Sequence, residues 1–260
     1  MNKTRKKLFK LEEYKKYSND IILEGFRGSH SHNTFQPSTN PNSIDDIDIM
    51  SIVSYPVEHY LGLENFEGTE FFIGELDVVI YDIKKCIRLL LKNNPNMLQL
   101  LWLRKEHYTH ISPAGQMLIN NRDIFSSNLV YNPLSGYAYG QLKKAEKYSF
   151  EGYMGAKRKA LVEKYGFDCK NMSHCIRLLK MGIEFLSTGE LNVFRHDNDM
   201  LISIKNGEWE LERIKAYASE LFCTLDIALV NSKLPTRPNY TKAKQLCVDM
   251  IKINSKLNKV

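Results

Sequence analysis

A chain of 260 residues is long enough for one large domain or two small ones with a core of real size. With 43% hydrophobic and 25% charged residues it has the balance of an ordinary globular protein, and no apolar run is long enough to span a bilayer. The net charge of +6, from 36 Lys and Arg against 30 Asp and Glu, suits a protein that handles phosphates but does not by itself mark a nucleic-acid binder.

In chain order, residues 3–18 read as a short charged helix. "DIILEGF" (Asp20–Phe26) reads as a buried strand from its β-branched and aromatic content, with Gly28 and Ser29 at its end. Asn33–Ser43, rich in Asn, Pro, Ser and Thr, reads as a loop. "DIDIMSIVSY" (Asp46–Tyr55) is a second strand, with its aspartates at the start. "FFIGELDVVIYDI" (Phe71–Ile83) is a third, with room for a hairpin at Gly74. A helix follows over Lys84–Leu91 and ends at "NNPN", because proline disfavours helical geometry in the residue before it.

Another apolar segment, Met97–Leu103, comes next. The second half reads as helical, over 113–120, 134–149, 152–165, 169–187, 207–231 and 240–256. The expected architecture is α+β: a small mixed β-sheet domain with flanking helices over 1–112, then a helical domain over 113–260. None of the five cysteines stands in a C-x-x-C pair, which argues against a structural zinc site. The basic N-terminus has no apolar segment behind it and does not read as a secretory signal. The expected setting is reducing and cytoplasmic, in a bacterium or an infected cell.

Asp46-Ile47-Asp48 is the sharpest local signal. Residues i and i+2 of a strand share a face, so both carboxylates project together and repel unless a cation sits between them. Mg²⁺ suits that place, since it takes oxygen ligands and commonly uses one or two carboxylates plus substrate phosphates. Asp77 begins an apolar run that reads as a neighbouring strand. It could complete the metal site or act as general base, with Asp82 as the competing third acid. Taken alone, a D-x-D triplet also fits a solvated strand entrance, and Asp45 reads as a loop or cap residue.

Gly28-Ser29 follows a buried strand, where glycine lets a phosphate approach the chain and the serine hydroxyl and backbone N–H groups can bind it. The plain alternative is a turn. His30 and His32 form an H-x-H, the kind of pair that binds zinc or manganese in some phosphoesterases, but the other histidines supply no matching pattern. His30 therefore reads as a neighbour of the phosphate loop and His32 as structural. In "DCKNMSHCIRLLKMGIEFLSTGE", Lys170, His174, Arg177 and Glu184 fall on one helical face. Three such cations on an apolar helix call for partners, either phosphates or an internal Arg–Glu pair. Lys157, Arg158 and Lys159 read as a basic surface. Tyr137, Tyr139, Tyr148 and Tyr153 read mainly as core and rim, with base stacking as the alternative.

The order of strand, Gly-Ser, loop and D-x-D resembles the DNA polymerase β-type nucleotidyltransferase superfamily. "GSHSH…DDIDIM", "LDVVIYDIKKCIRLLLKNNPN", "GYAYGQLKK" and "CKNMSHCIRLLKMGIEFLSTGEL" together resemble a predicted nucleotidyltransferase group of bacteria and phages sometimes linked to RNA repair. The likeness spans most of residues 20–195, and the Ser29–Asp46 loop is longer than the family's usual one.

The resemblance implies a transferase that moves a nucleoside monophosphate from an NTP to a hydroxyl. Two Mg²⁺ ions (or Mn²⁺) would be held by Asp46, Asp48 and Asp77. Gly28, Ser29 and His30 would lie at the triphosphate, and Lys170, His174 and Arg177 would contact the triphosphate or an acceptor phosphate across a cleft closed by the helical domain. An RNA 3′ end such as that of tRNA is the leading acceptor. A protein or small-molecule hydroxyl, a non-catalytic nucleotide-binding module and an H-x-H metallophosphoesterase are the alternatives.

Overall fold

The computed structural model describes residues 3–37, 45–146 and 156–257. Their elements run α1 (Lys3–Leu8), α2 (Glu12–Lys15), β1 (Ile21–Phe26), α3 (Gly28–Ser31), β2 (Ile47–Val53), α4 (Val57–Leu61), β3 (Gly68–Ile73), β4 (Leu76–Asp82), α5 (Ile83–Leu91), α6 (Pro95–Leu101), β5 (Tyr108–Ile111) and α7 (Pro113–Asn120). There follow α8 (Tyr131–Glu146), α9 (Ala156–Tyr165), α10 (Cys169–Thr188), α11 (Asn198–Lys205), α12 (Leu211–Asn231) and α13 (Tyr240–Leu257). The fold is a mixed α+β one. No described helix is long and apolar enough to cross a membrane.

Two compact units form. The first holds residues 1–31, 46–126 and 237–260; the second holds 32–45 and 127–236. The first unit contains a five-stranded sheet in the order β3-β4-β2-β1-β5. β2 and β4 pair in parallel, and the other neighbours are antiparallel. Alternation sends Ile49, Val53, Val78 and Ile80 to one face, where they pack with Leu8 and Tyr14 of the N-terminal helices. Glu24 is fully buried in β1 and accepts hydrogen bonds from Tyr14 (2.8 Å), Ser51 (2.8 Å) and Thr109 (2.5 Å), with Arg5 3.8 Å away. One carboxylate thus ties α1, α2, β2 and β5 to β1, and its burial is tolerable only because it is so fully paired.

Most elements follow the sequence reading. The charged N-terminal segment is two short helices rather than one. The third strand is a hairpin, β3–β4, turned at Gly74, whose φ of +61° favours glycine. Asn94 caps α6 with Pro95 in the first helical position. β5 has no counterpart in the sequence reading, because four half-buried edge residues lack a strand-length alternation. The span 207–231 begins instead at α12, after the separate helix α11. Residues 38–44 of the polar loop, together with Tyr148 and Tyr153, lie outside the described residues.

The units also divide differently from a cut near residue 112. α7 belongs to the sheet unit, pressed so closely on β1 that a Cβ at Gly115 would overlap the carbonyl oxygen of Ile22. α13 returns to pack on α7 and α5, while residues 32–45 leave the sheet unit for the helical one. The second unit is built on α10, whose buried face meets α8, α11 and α12. Gly115→Ala is expected to destabilise the sheet unit by about 1–3 kcal/mol through this overlap, measurable as a lowered unfolding midpoint in urea.

Candidate active site

The site begins with strand register. Asp48 of β2 lies opposite Asp77 of β4 in the parallel pair. Residues paired this way point to the same face, so the two carboxylates stand side by side, both half-buried. Asp82, the alternative third acid, is paired with Val53 at the far end of the same ladder. It is spent on structure there: it caps α5 by accepting from the Lys84 N–H (2.7 Å) and accepts from the Tyr60 hydroxyl (2.7 Å). Asp46 is exposed, one residue before β2 begins.

Gly28 packs against Asp48. β1 reaches the start of β2, and the Arg27 N–H donates to the Asp48 carbonyl (2.9 Å). Gly28 then adopts a φ of +62°, and a Cβ there would overlap the Asp48 carboxylate. Only glycine allows the chain to pass so close to the acid. The Ser29 hydroxyl oxygen is buried and has no hydrogen-bond partner among the described residues, so it retains its capacity to donate to a ligand. His30 stacks on Phe26, with ring centres 5.3 Å apart.

The residue that sequence reasoning missed is Arg27. Its guanidinium donates to Asp77 Oδ2 at 2.6 Å and lies 3.9 Å from Asp48 and 3.8 Å from Glu70. The signal was available only through pairing: once Phe26 is matched with Ile49, Arg27 falls opposite Asp48. Asp77 Oδ1 is buried with no hydrogen-bond partner among the described residues. Among the described residues no group of three or more His, Cys, Asp or Glu is gathered closely enough to hold a metal ion, and that covers both the three aspartates and the H-x-H pair. The donor set at Asp48 and Asp77 nevertheless fits a hard divalent cation. Two carboxylates share a face, one has an unpartnered buried oxygen, and a cationic group already lies between them.

The second unit gathers the other candidates. Asp45, expected as a loop or cap residue, has an almost fully buried side chain that accepts from the Gln36 N–H (3.0 Å) and from Lys205, with Lys170 at 3.8 Å. Glu184 does not serve Arg177. It binds Arg195 at 2.7 and 2.8 Å, and Arg195 also holds Asp197. The stripe is therefore not a solvated face with an Arg177–Glu184 pair. Arg177 is buried, and its guanidinium donates to the Met181 sulfur (3.2 Å); among the described residues it has no carboxylate within ion-pair distance. Burial, then the charge of Arg195, presses the Arg177 guanidinium down to about 9, which still leaves it charged at neutral pH. Burial, then Arg177, holds His174 well below the usual histidine range.

His32 is buried with its ring Nδ1 3.1 Å from the Val193 carbonyl, as a structural histidine would be. Burial, then the Arg177 charge, holds it well below the usual range, and the Val193 contact opposes this only in part. Of the basic run, Arg158 binds Asp168 (3.0 and 2.6 Å) and Asn171 (2.8 Å) at the start of α10, so it is tied into structure. The side chain of Lys157 lies outside the described residues. Tyr137 and Tyr139 are exposed, on α8.

A model of the family described as the RNA repair pathway DNA polymerase beta family, RlaP, matches residues 6–249. The chain belongs to this family. The match takes in every residue described for this site, from Phe26 to Lys205. No curated protein matches. Among solved structures, a nucleotidyltransferase-like protein from Exiguobacterium sibiricum 255-15 is similar with a TM-score of 0.31 and 13% identity, covering 86% of this chain and 73% of that one. That likeness is too distant to carry an argument. Membership in the RlaP family makes the chain a DNA polymerase β-type nucleotidyltransferase tied to RNA repair.

The buried His32 gives this RlaP member a testable acid response. With its folded-state value depressed, the unfolded chain binds the proton first. Stability is therefore unaffected well above pH 6.5, falls as pH drops below it, and levels off once the folded-state value is passed. Urea unfolding between pH 7.5 and 5 should show His32→Asn losing less stability than wild type, by up to ~1.4 kcal/mol per pH unit.

Proposed function

We propose that this chain is a divalent-metal-dependent transferase that moves a nucleoside monophosphate from an NTP to the 3′ hydroxyl of an RNA such as tRNA. The observation that carries the reading is the Asp48–Asp77 pair on one sheet face, with an Asp77 oxygen that is buried and unpartnered among the described residues, and with Gly28 packed against Asp48. Family membership supports the reaction type and the RNA-repair setting.

Asp48 and Asp77 would hold Mg²⁺ or Mn²⁺, with Asp46 joining from the exposed end of the strand. Two carboxylates plus substrate phosphates already make an ordinary Mg²⁺ ligand set. When bound, the metal supplies Lewis-acid polarisation of the phosphoryl oxygens. The rest falls to side chains and backbone. Gly28 lets the chain pass against the Asp48 carboxylate, and the Ser29 hydroxyl donates to a phosphate oxygen. His30, stacked on Phe26, borders that place. Asp77 receives the proton of the attacking hydroxyl as its oxygen bonds to the α-phosphorus, and the bond from that phosphorus to the pyrophosphate oxygen breaks.

In the helical unit, Arg177 is a buried, charged guanidinium without a carboxylate partner among the described residues. A phosphate group satisfies such a fork with two parallel hydrogen bonds. We assign Arg177, with His174 and Lys170, to binding a phosphate group. Lys170 carries less of this role, because Asp45 already faces it.

Transfer of label from α-labelled NTPs to total tRNA, to the protein itself and to a small-molecule pool tests the reading. Asp48→Asn and Asp77→Asn should each lower transfer to RNA by at least about a hundredfold, and Ser29→Ala by roughly tenfold. Label on RNA that survives Asp48→Asn would sink the metal-site assignment. Label on protein or small molecule alone would keep the chemistry and remove the RNA acceptor.

A further inference from the structure

Asp48, Asp77 and Glu70 all lie within 4 Å of one guanidinium, that of Arg27. The closest of these contacts, to Asp77 Oδ2 at 2.6 Å, is a charge-assisted hydrogen bond. Neighbouring carboxylates on one sheet face repel each other, and partial burial removes much of the water that would screen them. With its side chain only 23% exposed, Arg27 supplies the compensating charge from inside the cluster. Its backbone is fixed as well, since its N–H is bonded to Asp48 and the next residue is the constrained Gly28. The guanidinium nevertheless fits the cluster imperfectly. Among the described residues its Nε is buried without a partner, and Asp77 Oδ1 is left unpaired. Those two unsatisfied groups make the arrangement easy to exchange for a better cation.

We propose that Arg27 is a resident counter-cation of the acid site: it holds Asp48 and Asp77 together while no metal is bound, and a divalent cation must displace it from Asp77 to bind. The inference rests on the metal site proposed above. Arg27 is then a positioning residue that sets metal affinity. Once displaced, its positive charge remains on the residue next to Gly28 and Ser29, where an anionic triphosphate is expected.

The test is direct Mn²⁺ binding, read by electron paramagnetic resonance, to the full chain as wild type, Arg27→Met, Arg27→Gln and Asp48→Asn. Unfolding temperatures in EDTA and in Mn²⁺ are recorded alongside. Removing the competitor should tighten Mn²⁺ binding about tenfold in both Arg27 variants, the scale of one lost charge-assisted hydrogen bond. Both variants should unfold at lower temperature than wild type in EDTA and recover with Mn²⁺, and Asp48→Asn should not bind. A purely structural Arg27 would weaken binding when removed. If Asp48→Asn abolishes binding while the Arg27 variants bind as wild type does or more weakly, the counter-cation is overturned and the metal site stands. If neither wild type nor the Arg27 variants bind Mn²⁺, the metal site fails and this inference falls with it.

Discussion

The parallel pairing of β2 with β4 is the constraint on which the rest of the site depends. It sets Asp48 against Asp77 on one face, and it does so by backbone hydrogen bonds that fix register along the whole ladder. A slip of one residue would send one acid to the face packed by Leu8 and Tyr14, where an unpaired carboxylate could not be tolerated. The hydrophobic alternation of Ile49, Val53, Val78 and Ile80 therefore does two things at once. It buries the core and delivers the acids to the opposite face.

Charge is handled in opposite ways in the two units. In the sheet unit, several acids share one arginine, and an acid oxygen is left over. In the helical unit Arg195 is saturated by Glu184 and Asp197, and Arg177 is the cation left over. A surplus acceptor in one place and a surplus cation in the other are what metal and phosphate chemistry need. The buried Glu24 of β1 is the contrast: held by Tyr14, Ser51 and Thr109 at 0% exposure, it serves the fold.

Much of this was legible in the chain. β1, β2 and the hairpin at Gly74 were readable because β-branched runs alternate and glycine marks the turn. α10 was readable because its apolar residues recur at helical spacing. Gly28 and Asp48 were singled out for their chemistry, and their close contact explains why they occur together. β5 was not readable, because an edge strand of four half-buried residues carries no period. Arg27 was missed because nothing local distinguishes an arginine beside a glycine. Its role is defined by Asp77, fifty residues away.

By itself the sequence determined the kinds of element, their order and the candidate residues, because these follow from local periodicity and side-chain chemistry. Only the tertiary structure set Asp77 rather than Asp82 opposite Asp48, placed Arg27 among the acids, turned Glu184 from Arg177 to Arg195 and returned α13 to the sheet unit. Those outcomes depend on strand register and on which charge finds which partner, quantities set by contacts between residues far apart in the chain.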